Sequence, residues 1–166
     1  MQVIDNFLPE YQFKQLQSVI LSLDFPWHYN DWIVNPNDGQ YQFYHTIYNI
    51  GEGIRSEYYS LFDFTQQKLG VKRLDRIKIN LNPKRFLPLK GGYHTDQRRS
   101  DEPVPQHQKT AVLYLNTCNG YTKFKKGGKI KSVENRMVIF DSNLEHTGVT
   151  CTDEKRRVIV NFNYDL

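Results

Sequence analysis

Six short runs rich in β-branched and aromatic residues follow one another in the later part of the chain: RIKINLN (76–82), TAVLYLN (110–116), GYTKF (120–124), KIKSV (129–133), RMVIF (136–140) and RVIVNFNY (157–164). Turn-forming residues divide several of them, namely Asn119-Gly120, Gly127-Gly128 and Asp141-Ser142-Asn143. Asn and Gly tolerate the backbone that tight hairpin turns require, so this succession predicts many short strands joined by brief connections. A chain of 166 residues is long enough for one domain with its own core. Its aromatic share of 14 %, mostly Tyr and Phe, favours a strand-rich globular fold over a disordered one.

Before residue 71 the periodicity differs. Phe13, Leu16, Ile20 and Leu23 recur at helical spacing behind Pro9, a residue tolerated in a first helical turn, and predict a first helix. Ile54, Tyr58, Leu61 and Phe62 lead to Leu69 with Gly70 placed as a stop, so residues 53–69 read as a second helix. Two helices followed by strands predict an α+β, mainly β domain over residues 1–166. Residues 1–70 are expected as a helical support region and 71–166 as a β-sandwich or jelly-roll core. There is no internal repeat.

The net charge of +4 arises from dispersed Lys and Arg rather than a charged tail, which suits a solvated surface, with an anionic partner as the sharper reading. Cys118 and Cys151 lack the number and spacing of a zinc knuckle or a disulfide framework and read as reduced thiols of a cytosolic protein. The opening QVIDNFLPEY is no export signal, and nowhere do about 18 apolar residues follow one another, so no membrane span is expected.

The segment GGYHTDQRRS (91–100) sets His94 and Asp96 two residues apart. In extended backbone residues i and i+2 face the same side, so this imidazole and carboxylate can hold one metal ion from one side, given a third ligand. His146, just beyond the strand MVIFDSN and a turn, is the best candidate. Two histidines and one carboxylate form the facial triad of non-haem Fe(II) oxygenases, which leaves three coordination positions open. A bare His-x-Asp is common, and by itself reads as a loop histidine satisfied by its neighbour. Context argues for more. Past His146 the chain runs HTGVTCTDEKRRVIVNFNY, with Arg156 and Arg157 at the start of a strand, where an arginine can clamp a carboxylate bidentately. With Arg157 inward, Ile159, Asn161 and Asn163 share its face, while Val158, Val160, Phe162 and Tyr164 form an apolar face for the helices. That register selects Arg157 and leaves Arg156 on the surface; the opposite register remains the alternative.

The pieces HTD (94–96), AVLYLNTCNGYTKF (111–124), NRMVIFDSNLEHTG (135–148) and RRVIVNFNY (156–164), in this order, resemble the Fe(II)/2-oxoglutarate-dependent dioxygenases, and among them the prolyl-4-hydroxylase-like branch with members in bacteria and phages. VIDNFLPEYQF is similar to the opening strand and helix of that branch. The resemblance implies a double-stranded β-helix, a jelly-roll or cupin-like fold, with Fe(II) on His94, Asp96 and His146. It implies 2-oxoglutarate as cosubstrate, its distal carboxylate on Arg157 with help from Tyr114, and O2 as the oxidant, with ascorbate as an optional reductant. Asn80 and Asn82 stand where some relatives place pocket residues. A core tyrosine remains the alternative for Tyr114, and the two asparagines read equally as residues preparing the turn at Pro83. The implied activity is hydroxylation of a peptidyl or free amino-acid residue such as proline, coupled to conversion of 2-oxoglutarate to succinate and CO2. A peptide or protein is the favoured prime substrate and a nucleic acid the alternative; a silent jelly-roll binding module is the reading from outside enzymology. The expected location is the cytoplasm of a bacterium or of a phage-infected cell. Nothing in the sequence speaks to oligomeric state.

Substrate choice is expected to rest with the loops at 83–93 and 97–108, the latter a possible lid in which His107 reads as solvent-exposed. His28 and His45 sit among aromatic residues and read as packing. Asp141 is accounted for by its turn and Glu145 by solvation. The pairs Arg98-Arg99 and Lys125-Lys126 lack an accompanying array of stacking aromatics and are weak nucleic-acid signals.

Overall fold

The computed structural model describes residues 1–36, 38–96 and 108–166. In chain order the elements are β1 (Gln2–Ile4), α1 (Glu10–Ile20), β2 (His28–Asn30), β3 (Gln42–Asn49), β4 (Gly53–Ile54), a 3-10 segment (Glu57–Phe62), α2 (Asp63–Leu69), β5 (Arg73–Pro83), β6 (Gln108–Tyr114), β7 (Tyr121–Phe124), β8 (Lys129–Lys131), β9 (Met137–Asp141), β10 (His146–Val149) and β11 (Arg156–Asp165).

Two antiparallel sheets result. The larger runs β1-β9-β6-β11-β5-β3-β2 with β4 beside β3, and the smaller runs β10-β7-β8. Main-chain bridges from Lys90 to Val149 and from His94 to His146 extend the smaller sheet along β10. Alternation sorts the side chains. Ile77, Ile79 and Leu81 of β5 and Val158, Val160, Phe162 and Tyr164 of β11 share one buried cluster with Phe13, Leu16 and Ile20 of α1 and with Phe62 and Leu69. The helices therefore cover the outer face of the large sheet, as the strand parity predicts. Val112, Tyr114, Phe124, Val138 and Phe140 form a second cluster. Its members come from β6 and β9 of the large sheet and β7 of the small one, which joins the two sheets into a jelly roll.

Three expectations need correction. Residues 53–69 do not form one helix: Gly53 and Ile54 pair with β3, and a 3-10 turn follows, its start capped by the Ser56 hydroxyl accepting from the Tyr58 N–H at 3.2 Å. Only Asp63–Leu69 is α-helical, stopped by Gly70 at φ 70°. Leu23 lies beyond the end of α1 and is fully exposed. Residues 1–70 are also more than helical support, since β3 lies within the large sheet against β5. The strand was hard to see because Gln42 and His45 occupy buried positions where an apolar residue would announce the alternation. His45 is satisfied there by the Pro26 carbonyl at 2.7 Å and the Ser56 hydroxyl at 2.8 Å.

Among the described residues, no helix is long and apolar enough to cross a membrane.

Candidate metal centre and its cavity

Antiparallel pairing assembles the three candidate ligands. The His94 N–H donates to the His146 carbonyl at 3.0 Å, and the His146 N–H returns the bond at 2.9 Å. Two residues on, the Asp96 N–H donates to the Ser142 carbonyl at 3.0 Å. One ligand atom from each of His94, Asp96 and His146 lies within 4.8 Å of the others. His146 Nε2 is 3.6 Å from Asp96 Oδ2, and His94 Nε2 is 3.9 Å from Asp96 Oδ1.

The surroundings prepare these atoms to bind a cation. Nδ1 of His146 sits 3.0 Å from the Leu144 carbonyl and Nδ1 of His94 3.3 Å from the Gly92 carbonyl. A carbonyl only accepts, so each Nδ1 carries the proton and each Nε2 keeps its lone pair for the centre. Burial lowers the proton affinity of His146, overcoming the pull of Asp96, and keeps the ring neutral. Burial by itself would raise the Asp96 pKa, but Arg76, His146, His94 and the Asn161 amide outweigh it and hold the carboxyl below its ordinary range. Arg76 donates to Asp96 Oδ1 at 3.3 Å and Asn161 to Oδ2 at 2.9 Å, while Arg76 is itself steadied by Asn163 Oδ1 at 3.0 Å. Two imidazoles and one carboxylate converging at the wall of a cavity fit a divalent ion such as Fe(II).

The cavity encloses about 510 Å³ and reaches from this cluster to Arg157. Arg157 is 1 % exposed. Its Nε donates to the Ser132 hydroxyl at 2.8 Å and an Nη to the Thr122 hydroxyl at 3.1 Å, and the guanidinium lies 5.5 Å from the Tyr114 ring centre. Among the described residues no carboxylate pairs with it. A buried cation held only by hydroxyls and facing a cavity is a ready site for an anion. Gly120 permits the arrangement, because a Cβ there would stand 2.7 Å from Arg157 Cδ and 2.9 Å from the Val149 carbonyl oxygen. Arg156 points the other way and donates to the Leu21 carbonyl at 2.8 Å. The register with Arg157 inward is therefore the observed one.

Asn80 and Asn82 both line the cavity, and Asn82 stands opposite Arg157 in the ladder. Tyr114 does not: it is fully buried behind Arg157, donating its hydroxyl to Thr122 at 2.7 Å, and burial raises its pKa. The sequence reading missed Arg76, Lys78, Thr122 and Ser132. Arg76 and Lys78 alternate with Ile77 and Ile79 in RIKIN, sharing a parity with Asn80 and Asn82, so the same alternation that selected Arg157 would have found them. Lys78 is half-buried with its ammonium 4.7 Å from the Tyr44 ring centre, and burial together with the charge of Arg76, against the pull of Asp96, pushes its pKa down to about 8.

The remaining candidates stay apart from the centre. His28 stacks on His45 at 5.8 Å, Asp141 pairs with Lys109, and Glu145 pairs with Lys125 at 2.7 Å. Cys118 and Cys151 are buried free thiols, and burial, with Cys118 adjacent, pushes Cys151 up to about 11. His107, Arg98, Arg99 and all of the loop 97–108 except Gln108 lie outside the described residues.

No family model and no curated protein matches the sequence. Solved structures do match. A prolyl hydroxylase from Trichoplax adhaerens, in complex with a peptide fragment of the hypoxia inducible factor oxygen degradation domain, superposes with a TM-score of 0.69 at 16 % identity, over 99 % of this chain and 83 % of that one. A viral collagen prolyl hydroxylase from Paramecium Bursaria Chlorella virus-1, in complex with 2-oxoglutarate, gives 0.63 at 16 % identity over 99 % and 96 %. A prolyl-4-hydroxylase from Pseudomonas putida gives 0.61 at 19 % identity over 99 % and 92 %. The chain thus has the double-stranded β-helix fold of the 2-oxoglutarate/Fe(II) oxygenases, in the form found in prolyl hydroxylases.

Proposed function

We propose that this protein is an Fe(II)- and 2-oxoglutarate-dependent dioxygenase that hydroxylates a peptidyl or free amino-acid residue, acting as a single domain in the cytoplasm of a bacterium or a phage-infected cell. The observation that carries the reading is one cavity with a two-histidine, one-carboxylate cluster on its wall and, at one end, a buried guanidinium that no carboxylate of the described residues pairs with. The fold shared with the three prolyl hydroxylases supports it and makes a prolyl or similar residue the first class to test.

His94, Asp96 and His146 would hold the iron, which with 2-oxoglutarate and O2 supplies the oxidising power and releases succinate and CO2. The chain supplies placement. Arg157 takes the distal carboxylate, with Thr122 and Ser132 fixing the plane of the guanidinium and the Tyr114 ring backing it. Val112 and Ile159 line the same cavity and offer apolar contact to the methylenes between the carboxylates. Arg76 and Asn161 keep Asp96 ionised and oriented, and the backbone carbonyls of Gly92 and Leu144 keep each Nε2 unprotonated.

Anaerobic titration with Fe(II) and then 2-oxoglutarate, followed by succinate assay in air, tests this. A weak visible charge-transfer band that is lost in His146→Ala, together with slow succinate release, is expected. A folded, iron-saturated protein with neither band nor succinate would sink the reading and leave a jelly-roll binding module.

A further inference from the structure

Within the dioxygenase reading, on which this inference rests, we infer that the prime substrate is a free amino acid, its carboxylate held by Lys78 and its amino group by the Asn80 side-chain carbonyl. Four of the polar residues with which β5 lines the cavity, Arg76, Lys78, Asn80 and Asn82, alternate along the strand and have different employments. Arg76 is committed to Asp96 and Asn163. Asn82 stands across from Arg157, at the end that takes the distal carboxylate of the cosubstrate. Lys78 and Asn80 lie between them, and beyond the Lys78 ammonium's contact with the Tyr44 ring neither side chain makes a hydrogen bond or an ion pair with any described residue.

Lys78 is opposite Asn161, whose amide holds Asp96, so its ammonium belongs to the metal end of the cavity. Along the strand it is four residues, roughly 13 Å, from the Asn82 row. A cosubstrate anchored on Arg157 and chelating the metal has its near carboxylate neutralised by the ion, and needs no second cation there. Its two negative groups are then both answered while Lys78 is not. A half-buried ammonium without an anion is costly, and the cost is relieved by a ligand that brings one.

Asn80 supplies the complementary demand. Its Oδ1 is buried with no hydrogen-bond partner among the described residues, and it shares the cavity face with Lys78. Among the described residues it lacks an N–H donor, as Lys78 lacks a carboxylate. An α-amino acid offers both from one carbon. A residue inside a peptide offers neither an ammonium nor a carboxylate from its backbone and would leave Lys78 uncompensated. Trp32, Ile33 and Val34 line the same cavity and give the carbon skeleton an apolar wall.

The test begins with the full chain loaded anaerobically with Fe(II) and 2-oxoglutarate, the charge-transfer band showing that loading has occurred. Each of the twenty free L-amino acids is then assayed for binding by equilibrium dialysis and for its effect on succinate release in air. At least one is expected to bind, to raise succinate release tenfold or more, and to lose both effects as its carboxamide. Lys78→Met is expected to weaken its binding tenfold or more, and Lys78→Arg to restore part of that loss. With the band present, the inference is overturned if no amino acid binds, if the carboxamide binds equally well, or if only peptides stimulate. It is equally overturned if Lys78→Met raises the 2-oxoglutarate concentration needed for the band and leaves amino-acid binding intact, which would give Lys78 to the cosubstrate. A missing band refutes the dioxygenase reading first and this inference with it.

Discussion

Asn161 donates its side-chain amide to Asp96 Oδ2 at 2.9 Å, tying the carboxylate of the metal cluster to the same strand that carries Arg157. The two ends of the cavity are thereby set by one rigid element, four residues apart on one face, rather than by independent loops.

That bond orients a ligand instead of supplying one. Asn161→Leu should leave the fold intact and weaken Fe(II) or Mn(II) binding about 10- to 100-fold, the usual consequence of losing a partner behind a metal ligand. Calorimetric titration of the metal checks it; unchanged affinity would show that Arg76 orients Asp96 by itself.

Arg157 and its neighbour separate cosubstrate binding from stability. Arg157→Ala should raise the 2-oxoglutarate requirement about 10- to 100-fold, the worth of one or two charged hydrogen bonds. Arg156→Ala should lose only its bond to the Leu21 carbonyl, about 1 kcal/mol of stability, with the 2-oxoglutarate requirement unchanged. Measuring the half-saturating 2-oxoglutarate concentration and the unfolding free energy of both variants decides the matter, and a reversed pattern would refute the assignment.

Gly120→Ala places a methyl group 2.7 Å from Arg157 Cδ and 2.9 Å from a backbone oxygen. The arginine stem or the surrounding backbone must move, at a cost of roughly 1–3 kcal/mol. A lower melting temperature accompanied by weaker 2-oxoglutarate binding is expected. Wild-type values for both would mean that the turn adapts without disturbing Arg157.

His45 sets an acid limit. Burial lowers its pKa from 6.5 in the folded protein despite the opposing bond to the Pro26 carbonyl, with His28 adding to the shift. Below pH 6.5 the unfolded chain takes up a proton that the folded chain refuses, so this contribution is complete above that pH and is lost as pH falls toward the folded value. Denaturant unfolding of metal-free protein at pH 7.5 and at about pH 5.5 should show a smaller loss in His45→Gln than in wild type. Equal losses would place the acid sensitivity elsewhere, with His146 the next candidate.

Period-two alternation was legible without coordinates, and it carried furthest at β11, where it put Arg157 inward and Val158, Val160, Phe162 and Tyr164 outward toward the helices. Asn80 and Asn82, named from the resemblance alone, line the cavity, and the same parity applied to RIKIN would have added Arg76 and Lys78. The candidate trio His94, Asp96 and His146, which the fold brings together, was legible from residue type and order.

Alternation says that a strand has two faces; it does not say which strand lies beside it. β3 entering the large sheet, Tyr114 standing behind Arg157 instead of on the cavity wall, and Arg76 reaching Asp96 all depend on pairings between distant segments. So does the meeting of His94 with His146, which two main-chain hydrogen bonds create and no local spacing encodes. The sequence by itself determined the faces of the strands and the chemistry available on each, because side-chain direction is a local property of extended backbone. Only the tertiary structure decided which of those groups share a cavity and which lie apart from it, because partnership in a sheet is settled by long-range hydrogen bonding and burial.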